Sequence, residues 1–533
     1  MKTEYIDVEA LQALLASEAM HAVLDVRERG EFALQQIPGT IPLPRGTLEY
    51  RAPTMLPRRD VPVVTLSNAE RRSTLAASTL RALGFSDVRV LRGGLQAWLA
   101  AGGPVQEGWG VSGKAYGERV LVHAAVPQVT ADELAARREG GEPVTVIDVR
   151  TAEEFRRGHV PDAYHIPGGN LPLEAPWLLE RLDSPVVISC AGRTRGILGA
   201  QLLREAGFSN VAALENGAMG WRLAGRALEE GAGRGRPAPR TGGPSEAIAA
   251  ATRRLAQGEG LAALDLAALD ALRASGAAHY LVDVRLPDEY QAGHVPGSVN
   301  LPAGQLALHY ENHTPLQQAT VVVLADDAVR PVWAAALYRR LGFRHVYVLE
   351  GGLAAWTGAG RALEAGAGIA EVFGLAEARR RVLGITPGAL AERQRAARAP
   401  LLLDVRGSGD FGIGHLPGAR WLARGKLELE IEGMVPDRTT PLVTYCDNGV
   451  RAALAAATLR DLGYADTAYL EGGLHSWCAA DRPLVEGLEG ADVTVAEAQA
   501  DHGHTVWSGA LGRTPADMEH YLSWEEELAR KPG

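Results

Sequence analysis

Two cysteines stand where a nucleophile could be made. Cys190 opens the run Cys190-Ala191-Gly192-Arg193-Thr194-Arg195, and Cys446 opens Cys446-Asp447-Asn448-Gly449-Val450-Arg451. Each run lies between a short apolar, β-branched segment and an Ala/Leu-rich segment of helical character, so each cysteine is expected on a strand-to-helix loop. A loop feeding a helix N-terminus aims several backbone N–H groups at one point, and the helix dipole adds to their preference for an anion. A thiolate held there has a lowered pKa and is the reactive form of cysteine. The chemistry that fits is nucleophilic and covalent. Cys478 follows Trp477 on an expected helix and reads as a small core or surface residue. Three cysteines are few and odd in number, which argues against a disulfide framework and for a reducing, cytoplasmic setting.

The elements that position these loops recur four times. An apolar run ends in Asp25-Val26-Arg27, Asp148-Val149-Arg150, Asp283-Val284-Arg285 and Asp404-Val405-Arg406. An acid follows six positions after the Asp (Glu31, Glu154, Glu289, Asp410), then Gln36, His159, His294 or His415 at eleven, then a proline. A helix-stopping glycine comes later (Gly84, Gly207, Gly342, Gly463), and a tryptophan stands 73 positions after every Asp: Trp98, Trp221, Trp356, Trp477. Four copies without net insertion mark a tandem repeat. Short β-branched runs alternate with amphipathic segments, which predicts α/β domains, each a mostly parallel sheet with helices on both faces.

The Asp-Val-Arg, Gly-His-(Val/Leu)-Pro and Gly-Gly-Leu-x-x-Trp pattern resembles the rhodanese family over nearly the whole chain. The resemblance implies four tandem rhodanese-like domains, at 1–105, 118–230, 246–365 and 369–487, with a tail at 488–533 ending in a helix over 515–530. Gly108 to Gly117 is expected to link the first two copies, and the Gly/Pro/Arg-rich stretch 231–245 to separate two halves of the chain.

In that family the active cysteine opens the loop after the fourth strand, a position that falls 42 residues beyond each Asp. Its occupants here are Ser67, Cys190, Ala325 and Cys446. The resemblance implies that the thiolate takes the outer sulfur of a small donor, such as thiosulfate or a persulfide. The resulting enzyme persulfide passes that sulfur to a thiol or cyanide. Copies one and three then read as inactive and two and four as active, like a duplicated two-domain rhodanese. Cys190 is expected to carry most of the activity, because Asp447 beside Cys446 opposes thiolate formation. Arg193 has no counterpart in the other copies and is the candidate for holding an anionic donor or tuning the thiolate. Arg195 and Arg451 close loops whose cysteine-free copies also end in Arg72 and Arg330, so they read as structural, paired with the acid of the first motif. Asp148, Arg150, Asp404 and Arg406, with Glu154 and His159, read as supporting scaffold by the same comparison.

Two rival readings use the same fold. Phosphatase or arsenate reductase chemistry calls for an Arg six residues after the cysteine, where Gly196 and Ala452 stand. The other is a binding scaffold or sulfur-sensing module, which copies one and three could be; the two intact cysteine loops argue against it for the whole chain. Net charge is −10 and dispersed, which points away from nucleic acid. No apolar run approaches the ~20 residues that span a bilayer, and no secretory leader is visible, so no membrane partner is expected. No metal and no organic cofactor is expected. A homodimer is compatible with the tail helix.

Overall fold

The strand segments are apolar or β-branched at nearly every position, as in strands covered on both faces. Their alternation sorts side chains into two layers. Val146 and Val187 join one core with Phe155 and Trp221, while Ile147 and Ile188 join another with Ile197 and Leu203. The computed structural model describes residues 3–174, 185–234, 246–368, 371–503 and 510–530. It contains four five-stranded sheets, all parallel, and each has the spatial order first-fifth-fourth-second-third by sequence. In the second domain these are Gln128–Val129, Val211–Leu214, Val186–Ser189, Thr145–Asp148 and Tyr164–His165. Among the described residues no helix is long and apolar enough to cross a membrane.

The Asp-Val-Arg motif closes on itself. Arg150 donates through Nε and Nη2 to both carboxylate oxygens of Asp148 at 2.7–3.0 Å and through Nη2 to the Gly158 carbonyl at 2.6 Å. Both side chains are fully buried. Arg27–Asp25, Arg285–Asp283 and Arg406–Asp404 repeat this geometry. His159 stacks on Phe155 at 3.7 Å, turns Nδ1 to the Phe155 carbonyl, and bridges through its backbone to Glu229. His294 and His415 do the same with Tyr290 and Phe411. These histidines hold a turn and leave no ring aimed at chemistry.

The chain forms two compact units, and they are not sequential halves. Residues 1–109 and 369–512 make one; 110–368 and 513–533 make the other. The expected separation at 231–245 into a first and a second half is therefore corrected; from 235 onward that stretch lies outside the described residues. The pairing has a physical reason. Arg45 and Arg424 occupy equivalent positions, as do Glu49 and Glu428, and each arginine of one domain grips the glutamate of the other. Domains two and three have no such charges there and meet through glycines instead. A Cβ on Gly304 would lie 2.8 Å from the Gly169 nitrogen. The expected link at Gly108–Gly117 is largely helix, Val111–His123, with Gly113 pressed against the Ala307 carbonyl and Gly117 against Thr194.

The tail splits between the units. Helix Val495–His502 lies across the first, over Gly30 and Gly409, where any Cβ would strike its backbone. Helix Pro515–Glu527, followed by the turn Leu528–Arg530, belongs to the second.

Replacing Asp283 by Ala leaves Arg285 as a buried, uncompensated charge in a domain without cysteine. The expected loss is about 3–5 kcal/mol of local stability, read as faster amide exchange in strand His279–Asp283. Unchanged protection there would contradict a scaffold role for the pair.

Candidate active site

Each loop after the fourth strand is held at both ends by the repeat. At its start, the carbonyl of Cys446 accepts from the Leu474 amide at 2.8 Å, and that of Asp447 from the His475 amide at 3.0 Å. The approach is so close that a Cβ on Gly473, whose φ is +56°, would lie 2.0 Å from the Cys446 carbonyl oxygen. Gly94, Gly217 and Gly352 meet Ser67, Cys190 and Ala325 in the same way. At its end the loop arginine is tied down. Arg72, Arg195 and Arg330 pair with Glu31, Glu154 and Glu289 at 2.5–2.8 Å. Burial would raise the Glu154 carboxyl, but Arg195 holds it far below the usual carboxylate range. Arg451 faces Asp410, one methylene shorter, and binds Asp447 at 2.7 Å instead.

The Cys446 loop has the form of an anion cradle. Cys446 is buried at the end of strand Leu442–Tyr445, and Gly449 takes a left-handed turn (φ +85°) into helix Val450–Asp461. A Cβ at Gly449 would lie 3.1 Å from the Gly472 nitrogen, so glycine suits both the turn and the packing. The thiol donates to Asn448 Oδ1 at 3.9 Å, and that oxygen also accepts the Val450 amide. Asn448 is exposed and Asp447 half-buried, so the loop opens to solvent. Asp447 does not stand against the sulfur as an uncompensated charge, as its sequence position suggests. Burial would raise its carboxyl, but Arg451 and Arg406 hold it below the usual range. The cysteine-free first domain adds a wall. Tyr50, on helix Leu48–Met55, packs on the core cluster that contains Cys446. Burial raises its phenol, Arg451 opposes, and Cys446 is near enough to add to the rise.

The Cys190 loop is built differently. Gly192 sits one position earlier than Gly449, and the residue before the helix, Arg193, is right-handed (φ −116°, ψ −65°). Cys190 Sγ donates to the Arg193 carbonyl at 3.7 Å, so an acceptor oxygen faces the sulfur. Burial pushes the thiol up; Arg195 and the Gly196 amide pull it down, and Glu525 pushes it up again, leaving a net rise. The expected lowering at Cys190 is therefore corrected. Arg193 is equally unavailable as an anion holder. Its guanidinium binds Glu118 at 2.7 and 2.8 Å, Asn216 at 2.9 Å and Glu526 at 2.7 Å. Gly192, Arg193 and Thr194 are all buried, and Ala191 half-buried, under helix Pro515–Glu527. Sequence reasoning missed this cover and Tyr50. The acidic run Glu525-Glu526-Glu527 opposite a lone loop arginine was the available signal.

The other two loops show what the position favours. In the third domain Asp327 takes the amides of Val329 and Arg330 at 2.7 and 2.8 Å, so a carboxylate fills the anion place. In the first, the Ser67 hydroxyl is spent on the Ala69 carbonyl and Ser73. Cys478 is exposed.

The rhodanese-like domain model of protein families matches residues 7–101, 130–224, 265–359 and 386–480. The crystal structure of a thiosulfate sulfurtransferase from Pseudomonas aeruginosa superposes with a TM-score of 0.85 at 31% identity, over 99% of this chain and 97% of that one. The provisionally assigned thiosulfate sulfurtransferase SseB of Mycobacterium tuberculosis is 34% identical over 144 residues, 25% of this chain, which thus spans half (50%) of that relative's length. A sulfurtransferase from Allochromatium vinosum is 28% identical over 96 residues, 18% of this chain and 88% of its own. By these matches, and by four sheets of one topology, the chain belongs to the rhodanese-like family.

Proposed function

We propose that the protein is a sulfurtransferase that carries sulfane sulfur as a cysteine persulfide, with Cys446 as the principal carrier. The observation that supports this is the Cys446 loop, with a buried sulfur, a left-handed Gly449, a helix N-terminus and Arg451, and with Asn448 exposed at its rim. This reverses the order of the two cysteines expected from sequence, where Cys190 ranked first.

The Cys446 thiolate attacks the outer sulfur of thiosulfate or a low-molecular-weight persulfide. A Cys446 S–S bond forms as the donor's S–S bond breaks; from thiosulfate, sulfite leaves with the electron pair. The loop amides and the helix dipole hold the charge of the new persulfide. Cyanide or a thiolate then attacks the terminal sulfur and departs as thiocyanate or a new persulfide, which restores the Cys446 thiolate. Arg451 supplies a fixed positive charge beside the sulfur, and Asp447 together with Arg406 keeps it in place. The Tyr50 phenol, near both Arg451 and Cys446, is the candidate hydrogen-bond donor to an oxyanion of the sulfur donor.

Cys446→Ser is expected to cut thiosulfate-to-cyanide turnover about 10³-fold or more, while Cys190→Ser stays within about two-fold of the parent. Turnover that survives Cys446→Ser would overturn the assignment. Tyr50→Phe is expected to raise KM for thiosulfate about ten-fold, with kcat little changed, as for one lost hydrogen bond to a charged group. An unchanged KM would remove Tyr50 from the site.

A further inference from the structure

The loops after the fourth strand differ in what covers them. At the second residue after the loop's start Ala69 and Asn448 are exposed and Asp327 half-buried, whereas Gly192 is buried, with Arg193 and Thr194, beneath the last helix of the chain. Glu525 accepts a hydrogen bond from the Thr194 hydroxyl, and Glu526 pairs with Arg193. The helix lies directly over Gly192: a Cβ there would be in ordinary contact with Glu525 Oε2 at 3.5 Å and Leu522 Cδ2 at 3.6 Å, and its tight contact, at 2.9 Å, would be with Met219 Cε. Beneath it, Lys114 reaches the rings of Tyr521 and Trp524 at 4.8 Å each, and Met518, Leu522 and Leu528 are buried.

We propose that helix Pro515–Glu527 is a releasable latch that keeps Cys190 out of reach, and that Cys190 becomes a reactive thiol when the helix lifts. The proposal rests on the reading of these loops as sulfur-transfer sites. Three features support release. Over Arg193 and Thr194 the seal is made of hydrogen bonds and an ion pair, the character of a transient interface, beside the apolar seat of Met518, Leu522 and Leu528. Its Arg193–Glu526 pair is half-exposed on the glutamate side (50%), where such pairs contribute little. The helix carries its own start signals, a Thr514–Asp517 capping box and Pro515 at its first turn, so it can lift as a unit. Arg195 and the Gly196 amide lie beside Cys190 and pull its thiol down, whereas Glu525, which leaves with the helix, pushes it up.

The test is site-resolved alkylation of the full-length native chain with iodoacetamide, read by peptide mass spectrometry with Cys446 as internal reference. Glu525→Ala/Glu526→Ala removes the polar seal; Met518→Ala/Trp524→Ala weakens the seat and guards against a misfolded first variant. Each is expected to raise the Cys190 rate about ten-fold against Cys446, the factor that goes with about 1.4 kcal/mol of lost closed-state preference. Equal Cys190 rates in parent and both variants would overturn the latch. Alkylation reports access to the thiol, so this result is independent of whether sulfur is transferred.

Discussion

Everything at the candidate site hangs on the buried aspartate–arginine pair that ends the second strand of each domain. In the fourth domain Arg406 fills three roles. It neutralises Asp404, holds the Gly414 carbonyl of the following turn, and reaches Asp447 next to Cys446 at 3.3 Å. Arg27 makes the same reach in the first domain, to Asn68. A guanidinium suits this task because its planar fork can bind a carboxylate on two sides and still present a free edge. The pair thereby couples sheet geometry to loop geometry, and the close glycine contact at Gly473 fixes the loop from the other side.

Much of this was legible in the sequence. The four Asp-Val-Arg runs and the constant distance to tryptophan gave the repeat, its strands and the loop positions, because local chemistry at those points is set by neighbours a few residues away. The pairing of loop arginine with the first-motif acid was also readable, except in the fourth copy, where Asp410 is too short. What could not be read depends on contacts across hundreds of residues. Domain one pairs with domain four through Arg45, Glu49, Arg424 and Glu428, and no repeat spacing reveals that. The Cys190 thiol is raised first by burial and further by Glu525, and Arg193 is engaged by Glu118 and Glu526; Glu525 and Glu526 lie more than 300 positions away.

The comparison of the two cysteines carries a general lesson about position and environment. Both open the same loop of the same fold, and both are buried. At Cys446 a left-handed glycine and open surroundings leave room for an anion. At Cys190 a right-handed arginine turns a carbonyl to the sulfur, and an acidic helix closes the mouth. Domain three answers the same electrostatic demand with its own Asp327. On the proposed assignment, competence in this chain is decided less by the residue at the loop's start than by what the rest of the molecule brings against it.

The most direct measurement is peptide mass spectrometry of the intact chain after incubation with thiosulfate and removal of excess donor. The account predicts that the peptide holding Cys446 gains one sulfur atom and loses it on addition of cyanide, while the peptide holding Cys190 stays unmodified. Sulfur found on Cys190 and absent from Cys446, or absent from both, would contradict it.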